Sequence, residues 1–191
     1  MILGLQSRRK FADLTEQEVL ALAIASEEDD ATIFRTYATK LRADYPASAA
    51  VFDAMAQDED DHRRRLIELH RERFGEAIPL IRREHVAGYQ SRRPIWLTQN
   101  LPLATIRAEA AGMEAQAAAF YTRAAQQTKD AATRKLLGDL AAEEAGHEQH
   151  AEGMQLDLTA STAGHAEDAT DRKSTRLNSS HLRLSRMPSS A

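Results

Sequence analysis

Two short motifs in the sequence place a histidine three residues after a glutamate: Glu59-x-x-His62 and Glu144-x-x-His147. Residues three apart share one face of a helix, so the carboxylate can bridge two metal ions while the imidazole binds one of them. Each motif follows another glutamate in an apolar stretch, Glu27 or Glu114, at an interval of 32 or 30 residues. The spacing predicts two copies of one metal-binding half.

Four glutamates and two histidines are the ligand set of helical-bundle proteins that hold two iron or two manganese ions. Oxygen ligands with one imidazole per metal favour iron or manganese, and zinc can occupy the same set. The sequence has no cysteine, which excludes thiolate-bound zinc, iron–sulfur clusters and disulfides. The alternative is that these side chains lie on solvated faces of an acidic helical protein. The position of Glu114 next to Met113 and close to Ala117 argues against it.

The composition indicates what kind of scaffold positions these groups. With 191 residues, of which 42% are hydrophobic and 28% charged, the chain fits one domain with a sizeable core. No apolar run reaches the roughly 18 residues of a membrane span, and the start, MILGLQSRRKFADL, lacks the apolar segment of a secretory signal. We therefore expect a cytoplasmic location. The net charge of −4 argues against nucleic-acid binding.

Apolar residues recur at helical spacing in four segments. The first begins with a cap formed by Thr15 and Glu18, and the second runs from Pro46 to a stop at Gly75. The third is LATIRAEAAGMEAQAAAFYTRAAQQ, and the fourth begins after Asp130. Short connections within each pair predict two antiparallel helical hairpins.

The segment 74–102 between the hairpins contains three prolines and is too long for a turn, which predicts a crossover with a short helix inside. The predicted fold class is therefore all-α, a ferritin-like four-helix bundle of two helical hairpins joined by this crossover. We expect its arginines, including Arg83 and Arg92, and its Trp96 to face anionic lipid, a further domain or a dimer partner.

The chain resembles the rubrerythrin branch of the ferritin-like superfamily between about Leu14 and Met154. The strings that carry the resemblance are LRADYPASAAVF, MAQDEDDHRRRL, ERFGEAIPLIRR, RRPIWL, MEAQAAAFY and DAATRKLLGDLA. They are most similar to the N-terminal domain of membrane-bound ferritins, the fusions of an erythrin domain with a vacuolar-iron-transport domain. The resemblance implies an iron-oxidising domain at the cytoplasmic face of a membrane, joined in cis to a transporter domain that exports iron.

The resemblance also implies six metal ligands, with the motif glutamates as bridges: Glu27, Glu59, His62, Glu114, Glu144 and His147. Tyr121 is expected to hydrogen-bond a ligand carboxylate, and His150 to lie near the site or at a solvated helix end. The chain departs from the rubrerythrin pattern in two ways. Ala110 and Ala111 stand where rubrerythrins carry an extra glutamate, and Phe34 stands where a tyrosine is common.

We expect two iron ions as cofactors and a ferroxidase-type oxidoreductase that oxidises Fe(II) with O2 or H2O2, with a role in iron homeostasis and oxidative stress. The expected assembly is a homodimer. One alternative is a rubrerythrin-type peroxide scavenger that lacks its rubredoxin module and uses an external electron donor. The other is a non-catalytic metal-sensing or dimerisation module.

The chain divides into four predicted segments. Residues 1–13 form an N-terminal arm and residues 14–155 the di-iron domain. Residues 156–170 are interpreted as a linker towards a missing transporter domain. Residues 171–191 are interpreted as a translated sequencing adapter, because DRKSTRLNSSH back-translates to an adapter in frame. The alternative is a genuine disordered tail of the same composition.

Overall fold

The computed structural model describes residues 8–89, 92 and 101–147. Its helices are α1 (Glu16–Leu41), α2 (Pro46–Phe74), α3 (Leu103–Gln127) and α4, which is helical over the described residues 131–147. These bounds confirm the predicted all-α bundle of four helices. His150, Trp96, the proposed linker and the segment 171–191 lie outside the described residues. In the described part of the chain, no helix combines the length and apolar character needed to cross a membrane.

Local sequence signals set the ends of the first hairpin. The side chain of Thr15 accepts a hydrogen bond from the backbone N–H of Glu18 at 3.2 Å, and the side chain of Glu18 accepts one from the backbone N–H of Thr15 at 2.9 Å. This is the predicted capping box, which satisfies two amide donors at the start of α1. Pro46 begins α2, and Gly75 follows its end with a φ of 83°, a conformation that favours glycine.

The two helices of the first hairpin run antiparallel. Surface ion pairs join Arg42 to Asp53 near the turn and Arg35 to Asp60 further along the helices. The order of the partners reverses between α1 and α2, as expected for neighbours that are joined by a four-residue turn, residues 42–45.

The described part of the crossover contains one 3₁₀ turn, Arg83–His85, followed by the two-residue strand β2, Val86–Ala87. This strand pairs in parallel with β1, Arg9–Lys10, which lies in the N-terminal arm. The sequence predicted no strand, because two residues are too few to show an alternating pattern. The pair ties the arm to the crossover beside α1.

The bundle interior has two apolar clusters. The members of the first include Leu20, Leu66, Tyr121, Leu137 and Leu140. The members of the second include Phe34, Phe52, Met55, Ile106 and Met113. Along α1 and α2, the buried polar residues Glu27, Glu59 and His62 fall between the segments that contribute to the two clusters. The polar layer is therefore enclosed by apolar side chains, an environment that strengthens electrostatic interactions.

Candidate metal centre

Four of the six predicted ligands meet in one buried group: Glu27, Glu59, His62 and Glu144. One candidate ligand atom from each lies within 4.8 Å of the others. Nδ1 of His62 lies 2.9 Å from Oε1 of Glu144, 3.6 Å from Oε2 of Glu59 and 3.7 Å from Oε2 of Glu27. All four residues are at most 3% exposed. Helices α1, α2 and α4 thus converge on one point in the polar layer.

The other two predicted ligands form a second group with Glu144, which is common to both. Nδ1 of His147 lies 3.6 Å from Oε2 of Glu114, and the His147 side chain is 24% exposed. The rings of His62 and His147 are nearly parallel, at 15°, with centroids 6.0 Å apart. The structure therefore brings all six predicted residues together. Glu144 has the shared position expected of a bridge, whereas Glu59 belongs to the first group alone.

Seven nitrogen and oxygen atoms of this centre are buried and make no hydrogen bond to any described residue. They are Oε2 of Glu27, Nδ1 of His62, both carboxylate oxygens of Glu114 and of Glu144, and Nδ1 of His147. The 2.9 Å contact between His62 and Glu144 lacks hydrogen-bond geometry. Leaving a buried polar atom unpaired costs about 1–3 kcal/mol, and more if it is charged. Because all seven are metal-ligand atoms, the donor set fits bound cations.

Without a bound cation, burial and neighbouring charges shift the pKa values of several groups in the centre. Burial raises the pKa of Glu114 to about 7, and it raises the pKa values of Glu59 and Glu144 well above their usual range. Burial alone would lower the pKa of His62, but the surrounding carboxylates, Glu144 foremost, outweigh it and raise that pKa. The metal-free centre therefore retains protons that a metal ion displaces.

Tyr121 contacts the centre from α3. Its hydroxyl donates a hydrogen bond to Oε1 of Glu27, and the residue is fully buried. Burial, together with the Glu27 carboxylate, raises the pKa of Tyr121 well above its usual value, so the phenol remains a donor. The hydrogen bond occupies one oxygen of Glu27 and leaves the other for the centre. On α1 the corresponding Phe34 packs on Phe52, with ring centroids 6.1 Å apart, and has no hydroxyl to contribute.

Each histidine has a carboxylate near its outer nitrogen, and the carboxylate comes from the other hairpin. Nε2 of His62 lies 3.0 Å from Oε2 of Glu143, which Arg65 holds through bonds of 2.8 and 3.0 Å. Nε2 of His147 lies 3.5 Å from Oδ2 of Asp58. A carboxylate that accepts the Nε2 proton leaves the Nδ1 lone pair free for a metal.

The sequence patterns alone did not predict this exchange between the hairpins. The signal for it was local: Asp58 and Glu143 each directly precede the glutamate of a Glu-x-x-His motif. What the sequence could not show is that each carboxylate reaches the histidine of the opposite motif.

A further buried carboxylate, that of Asp30, lies one turn after Glu27 on α1 and is 4% exposed. It accepts four hydrogen bonds: from Arg83 at 3.0 and 2.5 Å and from Arg92 at 2.7 Å twice. Arg83 also donates to Oγ of Ser26 at 3.0 Å. Burial alone would raise the pKa of Asp30, but the two arginines outweigh it and lower that pKa.

The expectation that Arg83 and Arg92 face lipid, another domain or a dimer partner is therefore wrong. Arg83 is 4% exposed, and both guanidinium groups point inward to Asp30. Four charge-assisted hydrogen bonds to the Asp30 carboxylate replace the water that the two guanidinium groups lose on burial.

Comparison with known proteins agrees with the fold. The profile of the family described as Rubrerythrin matches residues 18–155. A hypothetical protein from Pyrococcus furiosus has a similar structure, with a TM-score of 0.64 and 22% identity over 79% of this chain and 94% of that chain. The bacterioferritin-related protein from Bacteroides fragilis, described as a dodecameric thioferritin, also has a similar structure. Its TM-score is 0.60, with 18% identity over 78% of this chain and 89% of that chain.

At such identities these two structures establish the fold alone, and they confirm the predicted ferritin-like bundle. No curated protein matches the sequence.

Proposed function

The chain belongs to the rubrerythrin family, and from this premise we propose that its Glu/His centre binds two iron ions and oxidises Fe(II) with dioxygen or hydrogen peroxide. The observation that carries the proposal is the set of seven buried ligand atoms without a hydrogen-bond partner among the described residues. Four carboxylates supply four negative charges, which two divalent cations balance. Imidazole and carboxylate ligands suit iron.

In the proposed reaction ferrous iron is the substrate. Each of two Fe(II) ions loses one electron, and the two electrons with two protons convert dioxygen to hydrogen peroxide, or hydrogen peroxide to two water molecules. Two adjacent ions supply both electrons at one place, which a single ferrous ion cannot do. The protein contributes by holding the pair in an interior from which apolar clusters exclude water.

The chain's own residues have distinct parts in this scheme. His62 and His147 offer Nδ1 to the ions, while Glu143 and Asp58 orient the two rings from outside. Tyr121 fixes the Glu27 carboxylate through its hydroxyl. The carboxylates balance charge and release their protons as metal binds.

An anaerobic Fe(II) titration of the full chain, followed by oxygen or peroxide, tests the proposal. We expect saturation near two ions per chain and growth of ferric absorbance in the near ultraviolet. Glu144→Gln should no longer bind two ions per chain, because Glu144 belongs to both groups. Asp139→Asn is the matched control, since Asp139 is exposed on the same helix and pairs with Lys135. Absence of stoichiometric Fe(II) binding by the unaltered chain would contradict the proposal.

The same experiment separates this proposal from its two alternatives. A rubrerythrin-type peroxide scavenger oxidises Fe(II) faster with peroxide than with oxygen and turns over when an external reductase is added. A non-catalytic sensing or dimerisation module gains stability from metal without any turnover. Faster oxidation by oxygen, with no reductase-dependent turnover, favours the ferroxidase.

We also propose that this is the cytoplasmic iron-handling domain of a membrane iron exporter and that it acts as a homodimer. The support is the resemblance of strings such as MAQDEDDHRRRL and RRPIWL to membrane-bound ferritins. Sequencing the gene beyond the codon for Thr170 tests the fusion. An open frame encoding several apolar helices is expected, and a stop codon there would contradict it. Sedimentation equilibrium of the chain tests the dimer.

A further inference from the structure

The two glutamates that lie outside the Glu-x-x-His motifs, Glu27 and Glu114, are on α1 and α3. α1 packs against α2 along its length but contacts α3 at few points. Close backbone approach therefore contributes little to the separation of Glu27 from Glu114. Side chains that link α1 to α3 contribute to it, among them Tyr121 through its hydrogen bond to Glu27.

Arg92 makes one such link, starting from α1. Its Nε and Nη2 each donate to the carboxylate of Asp30 at 2.7 Å, in a bidentate arrangement. Asp30 lies one turn after Glu27 and is held from the other side by Arg83, which also donates to the backbone oxygen of Ser26 at 3.2 Å. The guanidinium of Arg92 is thus fixed relative to the turn of α1 that carries Glu27.

The same guanidinium reaches α3 on both sides of Glu114. Nη1 of Arg92 donates to Oε1 of Gln116 at 2.8 Å, and Nη2 lies 3.4 Å from the backbone oxygen of Met113. Met113 directly precedes Glu114, and Gln116 follows it by two residues. One planar group therefore spans from Asp30 on α1 to the turn of α3 that carries Glu114.

The two ligand groups differ in how many protein ligands they offer to an ion. The first group offers four residues, whereas the second offers three, of which His147 is partly exposed. The second group should therefore bind its ion more weakly. It is also the group that contains Glu114.

We propose that Arg92, held by Asp30 and Arg83, is a positioning residue that sets the spacing of α1 and α3 at the centre and thereby the affinity for the second metal ion. This inference rests on the proposed function, because it requires that the centre bind two ions.

Co(II) titration of the full chain, followed by visible absorption, tests the inference without relying on activity. The unaltered chain should bind two Co(II) ions in two steps. In Arg92→Met we expect the second step to weaken about tenfold and its absorption band to shift, with the first step changed by less than about twofold. Tyr37→Phe is the matched control. It removes an α1–α3 hydrogen bond, to Glu109 at 2.8 Å, away from the ligands and should leave both steps unchanged.

The outcomes separate the two proposals. If the unaltered chain binds no Co(II) stoichiometrically, the proposed function fails. If it binds two ions and Arg92→Met has the same affinities and spectrum, the positioning role alone is overturned. Equal weakening of both steps also overturns it, because that result indicates a general loss of structure.

Two further variants keep the test decisive. Arg92→Lys retains the charge but lacks the planar fork that forms the bidentate pair with Asp30. Full recovery of the second step by lysine would assign the effect to charge and overturn the role. If Arg92→Met does not fold, Gln116→Ala decides, since it removes the side-chain bond of Arg92 to α3 at an exposed residue and leaves Arg92 and Asp30 in place. A weakening of about threefold in the second step is then expected, and no change overturns the inference.

Discussion

The buried carboxylates of the described residues include an arginine-paired set, Asp30 on α1, and an unpaired set in the Glu/His centre. The chain treats the two sets in opposite ways. Asp30 receives four hydrogen bonds from two arginines. Glu114 and Glu144 are as deeply buried, yet none of their oxygens is hydrogen-bonded by a described residue. The chain thus pairs Asp30 with two arginines, whereas the ion-pair contacts of Glu114 and Glu144 are with the imidazoles of the same centre. A buried carboxylate without a cation of its own must keep a proton or bind an outside cation, and this contrast favours the Glu/His centre as the metal site that we propose.

The largest expected effect is at the arginine-paired set. Asp30→Ala leaves Arg83 and Arg92 buried without their carboxylate, so we expect the free energy of unfolding to fall by about 3–5 kcal/mol. Urea unfolding of the metal-free protein measures it. The control is Asp53→Ala, which breaks an exposed pair with Arg42 and should cost less than about 1 kcal/mol. A loss from Asp30→Ala as small as the control's would remove the contrast.

The unpaired set should respond with the opposite sign. Glu114→Gln removes a buried carboxylate that has no hydrogen-bond donor among the described residues. At pH 8 we expect the metal-free variant to be more stable than the unaltered chain by about 1–3 kcal/mol. It should also lose most of the stabilisation that metal gives the unaltered chain. If Glu114→Gln destabilised the metal-free protein, Glu114 would be a structural residue.

The two sets should also give opposite pH dependences. The folded-state pKa of Glu114, about 7, exceeds its ordinary 4.5, so the folded protein keeps a proton that the unfolded chain releases. Metal-free stability should therefore fall as pH rises from 4.5 to 7. The pKa of Asp30 lies below its ordinary 3.8, so its contribution is lost only as pH falls below that value. Unfolding curves between pH 3 and 8 test this. Glu114→Gln should reduce the fall between 4.5 and 7 without abolishing it, because the raised pKa values of Glu59 and Glu144 also contribute.

The smallest expected effect concerns the outer nitrogen of His62. Glu143→Ala removes the acceptor 3.0 Å from Nε2, and we expect Co(II) affinity to fall about tenfold. The metal-free protein should change by less than about 1 kcal/mol, since the Glu143 side chain is 41% exposed. Glu68→Ala, which breaks the exposed pair with Arg64 on α2, is the control. An unchanged Co(II) affinity would show that Glu143 does not orient the imidazole.

Local signals were sufficient to predict the helices and the gathering of six site residues. Thr15 with Glu18 fixes the start of α1, and Gly75 follows the end of α2, because caps and stops depend on a few neighbouring residues. The Glu-x-x-His spacing places both side chains on one helix face wherever the helix packs. Matched positions on paired helices then bring the faces together.

The arginine-paired set could not be predicted in the same way. Asp30 lies in the acidic run EEDD, and Arg83 lies in the basic pair of IRRE, so both resemble surface charges. They are separated by 53 residues, and nothing local indicates that the crossover folds back over α1. One signal was present: Asp30 follows Glu27 by three residues and therefore shares its inward face.

The division of the ligands between hairpins bears on how the protein folds. Residues 27–62 contain one glutamate and one complete Glu-x-x-His motif, and residues 114–147 contain the other glutamate and motif. Each half can therefore assemble through contacts of short sequence separation, with little loop-closure entropy to overcome. Glu144 and the carboxylates near the outer nitrogens join the halves only when the hairpins dock. We expect a newly made chain to form two weak, open chelating hairpins first, and to retain metal firmly only after they close on each other.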